Sequence, residues 1–434
     1  MSHHLPDPTS VAQAHDPESG KPLSMWDVLR FPMMRHLWFA QTISVFGDFI
    51  ALYAVIAVLT FRLHATAQQV TAVQIAYLLP IAALGAVAGV FVDRWPLKPT
   101  MVSSDLLRAG VVLLLLTATR MWHFYLALAA ISVISSFFSP AQGVAIRSAV
   151  PLNGLRSANA LMQQVTFGMR IVGPAAAVSL VSSLGPVSCY LIDSASFVGS
   201  ACLIGAVKFV RPAEVKPAGG SPAATPKRAP LARVWSDMEE GFSFICHNAG
   251  LFFVIVAFAA GMFVIGCFAP LTAVYVRDDL HASTNTFGIA SALVGVGMIA
   301  GINSLSVFAS RIKDTSLVYS GLAGIAFGLV LMAGISQIWS AFLGEFVIGF
   351  AFAAIFLPSQ TKMQQETPPA LLGRVGSTVM SAIFASQIAG LVLSGILAER
   401  IGVRSVFALC AVLLAILIGA GFLWMRSKSK TTVA

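Results

Sequence analysis

The chain reads as an all-α membrane protein of twelve transmembrane helices in two six-helix bundles, and three observations carry that expectation. First, 57% of its 434 residues are hydrophobic and only 10% are charged, against roughly 45–50% and about 25% in soluble domains. The mean hydropathy is +0.84. Second, apolar residues run in stretches of the length, about 20 residues, that crosses ~30 Å of hydrocarbon. They occupy 36–62, 68–92, 100–119, 122–147, 158–183, 187–208, 250–276, 285–310, 314–335, 338–364, 372–398 and 402–425. Third, one connection, RPAEVKPAGGSPAATPKRAP from Arg211 to Pro230, is so rich in Pro, Ala and Gly that it can bury almost nothing, and it leaves six stretches on either side. The bilayer core has no water to satisfy backbone groups, so runs this long and continuous are helices and not barrel strands.

In chain order, residues 1–35 are a polar, proline-bearing tail without the charged start, short apolar core and small-residue cleavage site of a removable signal peptide. The first span is expected to act as its own insertion signal. Residues 36–208 form the N-terminal bundle, 209–249 a linker, 250–425 the C-terminal bundle and 426–434 a second tail. Within the linker, Leu231, Val234, Trp235, Met238, Phe242 and Ile245 recur at helical spacing beside Asp237, Glu239 and Glu240. That pattern fits an amphipathic helix on the membrane surface or a plain extension of the seventh span.

The net charge of +9 could point to nucleic acid, but its distribution points to a membrane. Of the 27 Lys and Arg residues, 20 fall on the side that carries both tails and the linker; Arg62, Arg120, Arg277, Arg400 and Arg404 fall on the other, and Arg108 and Arg170 lie within spans. By the positive-inside rule both termini are cytoplasmic. The five cysteines, Cys189, Cys202, Cys246, Cys267 and Cys410, are scattered without any C-x-x-C spacing, which argues against a disulfide framework or a metal site.

The halves repeat. PAQGVAIRSAVPLNGLR begins at Pro140 and PSQTKMQQETPPALLGR at Pro358, and Gln142, Pro151 and Arg156 correspond at one constant offset to Gln360, Pro369 and Arg374. Such self-similarity is the mark of a duplicated half.

Between the second and third spans lies GVFVDRWPLKPTM, with Gly89, Asp93, Arg94 and Lys98. Gly89 permits close helix approach. Asp93 can meet the positive end of another helix on the same side, near Arg374, across the interface between halves. Arg94 and Lys98 can pair with Asp105 or with lipid phosphates. The cluster is thus either a charged turn or a latch that holds the cytoplasmic side shut in the outward-facing state. In the second half, Arg311 and Lys313 are kept but the spacing is not.

Gly-x-x-x-Asp-Arg-x-x-x-Lys in this position resembles the signature of the major facilitator superfamily, and the resemblance covers essentially the whole chain. SVFGD (Ser44 to Asp48), SDLLRA (Ser103 to Ala109), SANAL (Ser157 to Leu161) and IDSASF (Ile192 to Phe197) look most like its drug-efflux branch of macrolide and siderophore exporters. The resemblance places Asp105 and Arg108 with the latch and implies a monomer. GMRIVGPAAA, Gly168 to Ala177, resembles the antiporter motif through Gly173 and Pro174, with alanines where that motif ends in glycines. Proline bends a helix by removing a backbone bond, and glycine lets a neighbour approach.

Charges inside spans cost ~2.5–3.5 kcal/mol at the bilayer centre, so Asp48, Arg170 and Glu345 are candidate proton-coupling or substrate residues. The superfamily layout implies an Asp48–Arg170 ion pair. Glu345 has no evident basic partner, and Asp193 is expected as a helix-start contact at the outer end of span six. Gln41, Gln74, Tyr77, Gln163 and Gln387 can add polarity to a pocket. No phosphate loop, zinc-binding H-E-x-x-H or nucleophile elbow occurs; no enzyme activity, cofactor, metal or nucleic acid is expected. The expected function is proton-coupled efflux of an amphiphilic small molecule from a bacterial plasma membrane by an antiporter, in contact with membrane lipid. A lysophospholipid flippase or nutrient importer, or a transporter-like sensor without turnover, are the alternatives. On a cysteine-free background, a cysteine placed near Gly219 should react with impermeant thiol reagents only from the cytoplasmic side; labelling of intact cells from outside overturns this topology.

Overall fold

The computed structural model describes residues 23–92, 94–207, 230–308, 313–368 and 371–431, and these are helical apart from short connections. Among the described residues, twelve helices are long and apolar enough to cross a membrane. Spans one to six are Pro32–Arg62, Ala67–Val92, Leu97–Thr117, Met121–Ala149, Leu155–Ser183 and Pro186–Gly205; spans seven to twelve are Ala249–Asp278, Thr284–Phe308, Asp314–Gly334, Ile338–Glu366, Leu372–Ile401 and Val403–Thr431. Several helices run beyond the apolar stretches. In span ten the last turn is polar and self-paired, Lys362 bridging to Glu366 four residues on, so the helix continues where hydrocarbon gives way to water.

The duplicated segments occupy equivalent places. Pro140 lies inside Met121–Ala149 and Pro358 inside Ile338–Glu366, helices of 29 residues each. Asp93 of the signature turn, Arg311, Pro369 of the repeat and the proline-rich connection 211–229 lie outside the described residues.

The linker's periodic segment forms a helix of its own, Pro230–His247. It is not an extension of span seven, because Asn248 breaks the helix and caps the next one, accepting from Leu251 N–H at 3.1 Å. The linker helix lies on the start of span eleven: Glu240 pairs with Arg374, and a Cβ on Gly241 would come within 2.7 Å of the Arg374 carbonyl oxygen.

Within the first six spans, span one packs on five and six, span three on four and six, and span two on four. Within the second six, span ten packs on eight and nine, and span seven on eleven. In lipid no hydrophobic effect drives helices together, so close packing of small residues does that work. Span ten is the example: Gly349 sits against the Val294 carbonyl of span eight, and Gly297 of span eight against the Phe346 carbonyl of span ten.

Between the sets, span five meets span eight and span two meets span eleven, with contacts on the face opposite the termini. A Cβ on Gly288 would lie 2.6 Å from Val178. Tyr53 and Phe61 of span one stack around Phe287 of span eight, with ring centroids 6.0 and 6.2 Å apart. Span one ends in a π-helical turn, Val58–Arg62. There Arg277 of span seven donates from Nη1 to the carbonyls of Thr60 at 2.8 Å and Ala65 at 2.9 Å, while Asp278 neutralises it. One guanidinium thus staples the two halves on the face away from the termini. Bonds from a charged donor contribute about 1.5–3 kcal/mol, so Arg277→Ala should raise labelling of an introduced Ser291→Cys from that face about tenfold; unchanged labelling rejects the staple.

Candidate functional site

Where the halves separate, toward the face that carries the termini, a cavity of ≈ 870 Å³ opens. Amides stud its otherwise apolar walls: Asn159, Gln163 and Gln164 come from span five, Gln360 and Gln364 from span ten, and Asn303 from span eight, among Ile299, Ile302 and Leu357. Arg156 bridges it, donating to Gln364 Oε1 at 3.2 Å. A second, smaller cavity of ≈ 110 Å³ adjoins it at the depth of the membrane. Span one contributes Phe49 and Tyr53, span five Arg170, span seven Phe268 and Thr272, and span ten Glu345. Both halves therefore wall a single site.

Arg170 is exposed to this cavity and makes no hydrogen bond or ion pair with any described residue. Glu345 is 1% exposed, and its Oε1 accepts from Thr272 Oγ1 at 2.8 Å. Tyr53 stands within electrostatic reach of both. The small residues of span five let these walls close up: a Cβ on Gly173 would lie 2.5 Å from that of Phe49, and Pro174 follows inside the helix.

The expected Asp48–Arg170 pair is not formed. The ionic partner of Asp48 is Arg108 of span three, at 4.0 Å, and Arg170 is not among the charges acting on Asp48. Arg108 also binds Asp105, one turn earlier on its own helix. This corrects two further expectations. Asp105 is fully buried and bound to Arg108, so it cannot receive Arg94 or Lys98, and Arg108 belongs to the interior of the first bundle and not to a surface latch. Sequence proximity to the signature suggested otherwise, but a helix carries residues 105 and 108 well into the bundle within three turns.

The Arg108 guanidinium lies over two rings, with Cζ 4.5 Å from the Phe138 centroid and 4.4 Å from that of Phe197, a double cation–π contact. Asp193 joins the cluster. It was expected at the end of span six, yet the helix begins about two turns before it, at Pro186, and the residue is 1% exposed. It lies within electrostatic reach of Asp48 and Arg108, and Ser196 Oγ donates to its backbone carbonyl at 2.7 Å. Tyr77 faces the same group. Three carboxyl groups from three spans therefore share one guanidinium.

Of the other polar candidates, Gln163 lines the vestibule, while Gln41 accepts from Gln142 at 2.6 Å within the first bundle. Gly89 lies on the last turns of the second helix; Arg94 is exposed in the turn that follows, and neither it nor Lys98 makes an ion pair among the described residues. No group of His, Cys, Asp or Glu among the described residues is arranged to hold a metal ion. Phe49, Tyr53 and Thr272 escaped the sequence reading because an aromatic or hydroxyl residue in an apolar run looks the same whether it faces lipid, a neighbour or a cavity.

Residues 37–390 match the Major Facilitator Superfamily family model. The chain belongs to that superfamily. It is a multi-pass membrane protein of a transporter family. The chain is 28% identical to an uncharacterized MFS-type transporter, YfiS, of Bacillus subtilis, over 88% of this chain and 90% of that one. It is 26% identical to macrolide efflux protein A of Streptococcus pyogenes, over 87% and 92%. Its fold matches a crystal structure of a mutant of the nucleoside transporter NupG with a TM-score of 0.70, at 13% identity, over 90% of this chain and 99% of that one.

Removing the one cation from a buried cluster leaves uncompensated charge, at a cost of about 3–5 kcal/mol. Arg108→Gln should therefore lower thermal stability in detergent sharply, Arg108→Lys should recover little because an ammonium does not stack between two rings, and Arg108→Gln with Asp105→Asn should recover much of it. A stable single variant shows that Arg108 is not neutralising these groups.

Proposed function

We propose that this chain is a proton-coupled antiporter that exports amphiphilic small molecules by alternating access, acting as a monomer in a bacterial plasma membrane with both termini cytoplasmic. The observation that carries the reading is the membrane-depth cavity walled by both halves, adjoining a wide vestibule toward the termini and stapled shut on the opposite face. Rocking of the halves about such a site alternates its access. Similarity to macrolide efflux protein A supports export over import.

Coupling to protons is supported by the carboxyl groups around Arg108. One guanidinium neutralises one carboxylate, so the cluster has groups left over that can hold protons. Asp48 is the one placed to exchange them: its side chain is 19% exposed, while that of Asp105 is 0% exposed. It directly precedes Phe49, which lines the cavity and touches Gly173. A shift of span one against span five therefore reaches the carboxylate and the substrate site together. One proton crossing ~100 mV releases ~2.3 kcal/mol, enough for a substrate gradient of roughly fifty-fold. The cluster of Gly89, Asp93, Arg94 and Lys98 is assigned to the opposite conformer, in which the terminal face closes and these charges find partners.

Asp48→Asn should abolish uphill efflux driven by a pH gradient in proteoliposomes while leaving downhill exchange between compartments of equal pH measurable. Thermal stability is followed alongside, since the change also alters the Arg108 cluster. Normal pH-driven accumulation in this variant rejects Asp48 as the coupling group and transfers the assignment to Glu345.

A further inference from the structure

The two arginines at membrane depth are treated in opposite ways. Arg108 has two carboxylates and two ring faces. Arg170 has none of these. It faces the cavity between the halves and makes no ion pair or hydrogen bond with the described residues. The one carboxyl group in the cavity wall, Glu345, is engaged by Thr272 and is not among the charges acting on Arg170; only Tyr53 is. Arg170 is instead exposed to the cavity, so its guanidinium presents its charge and its donors to whatever enters there.

We infer that the central cavity selects amphiphiles carrying an oxyanion group, which binds Arg170, with the aromatic or apolar body of the molecule against Phe49, Phe268 and Phe352. The guanidinium fork matches a carboxylate, sulfonate or phosphate edge with two parallel donors. Tyr53 lines the same cavity, and its hydroxyl can supply a further donor. The three phenyl rings give the rest of the ligand a surface that water does not reward. The cavity itself, at ≈ 110 Å³, has room for the anionic group and part of a ring; a larger body extends past Gly168 and Ile299 into the vestibule. A cationic amphiphile meets a repelling charge at the point where the wall is most polar. The inference rests on the export reading only in calling this ligand a substrate.

The test uses two probes with one ring skeleton: 8-anilinonaphthalene-1-sulfonate, and N-phenyl-1-naphthylamine, which lacks the sulfonate. Binding is read as fluorescence on the full chain in nanodiscs, with empty nanodiscs subtracted. The wild-type protein should bind the sulfonate at least about tenfold more tightly than the neutral probe. Arg170→Gln should remove that preference while keeping affinity for the neutral probe, which also reports that the variant is folded with its cavity intact, and Arg170→Lys should keep part of it. Equal affinities in the wild type, absence of sulfonate binding, or an unchanged preference in Arg170→Gln overturns oxyanion recognition. Uptake of the same probes into everted vesicles under a pH gradient separates the two claims. Arg170-dependent binding without gradient-driven uptake leaves recognition standing and rejects export; equal uptake of both probes, unaffected by Arg170→Gln, leaves export standing and rejects recognition.

Discussion

Hydrocarbon offers no hydrogen bonds and solvates no charge, and everything in this molecule follows from that. Backbone groups satisfied within each segment dictate helices. Association between helices then depends on closeness, because burying apolar side chains against each other gains little over burying them in lipid. The glycines along spans eight and ten meet this demand directly, setting backbone carbonyls of one helix where a side chain of the other would have stood. The second bundle is held as a close-packed unit by that contact, while the two bundles touch each other along fewer helices, five with eight and two with eleven. A molecule built this way has a stiff interior in each half and a seam between them.

The same medium sorts the charged residues. Arg108 is stabilised by carboxylates and by two phenyl rings, although its buried Nε has no hydrogen-bond partner among the described residues. Its cluster ties spans one, three, four and six of the first bundle to one another. Arg277, at the end of span seven, instead uses backbone carbonyls at and just past the end of span one, Thr60 in its π turn and Ala65 in the connection that follows. Those bonds cross the seam, so they must break if the far face is to open, whereas the Arg108 cluster can stay whole and travel with its half. Arg170 and Glu345 come from opposite halves at the seam: Glu345 is held by Thr272, whereas Arg170 faces the cavity without a partner among the described residues.

Legibility from sequence follows the same division. Length and hydropathy marked out the spans, since the thickness of a bilayer is an external ruler that each helix must match by itself. The constant offset of Pro140, Gln142, Pro151 and Arg156 from Pro358, Gln360, Pro369 and Arg374 revealed the repeat, and Pro140 and Pro358 lie within one residue of the same place in helices of equal length. Helical spacing from Leu231 to Ile245 revealed the linker helix but not whether it joined span seven; a capping bond at Asn248 decided that.

The sequence by itself therefore determined the membrane class, the spans, the duplication, the family resemblance and which residues carry charge at depth. Only the tertiary structure decided how those charges are paired. Asp48 faces Arg108 and not Arg170, Asp105 turns inward away from the signature turn, and Asp193 belongs to a core cluster and not to a helix end. Hydropathy is a property of one segment in a known medium, so a one-dimensional reading captures it. Pairing depends on the rotation of each helix about its own axis, and a turn of about 100° per residue, which no span length constrains, carries a side chain from lipid to cavity to core.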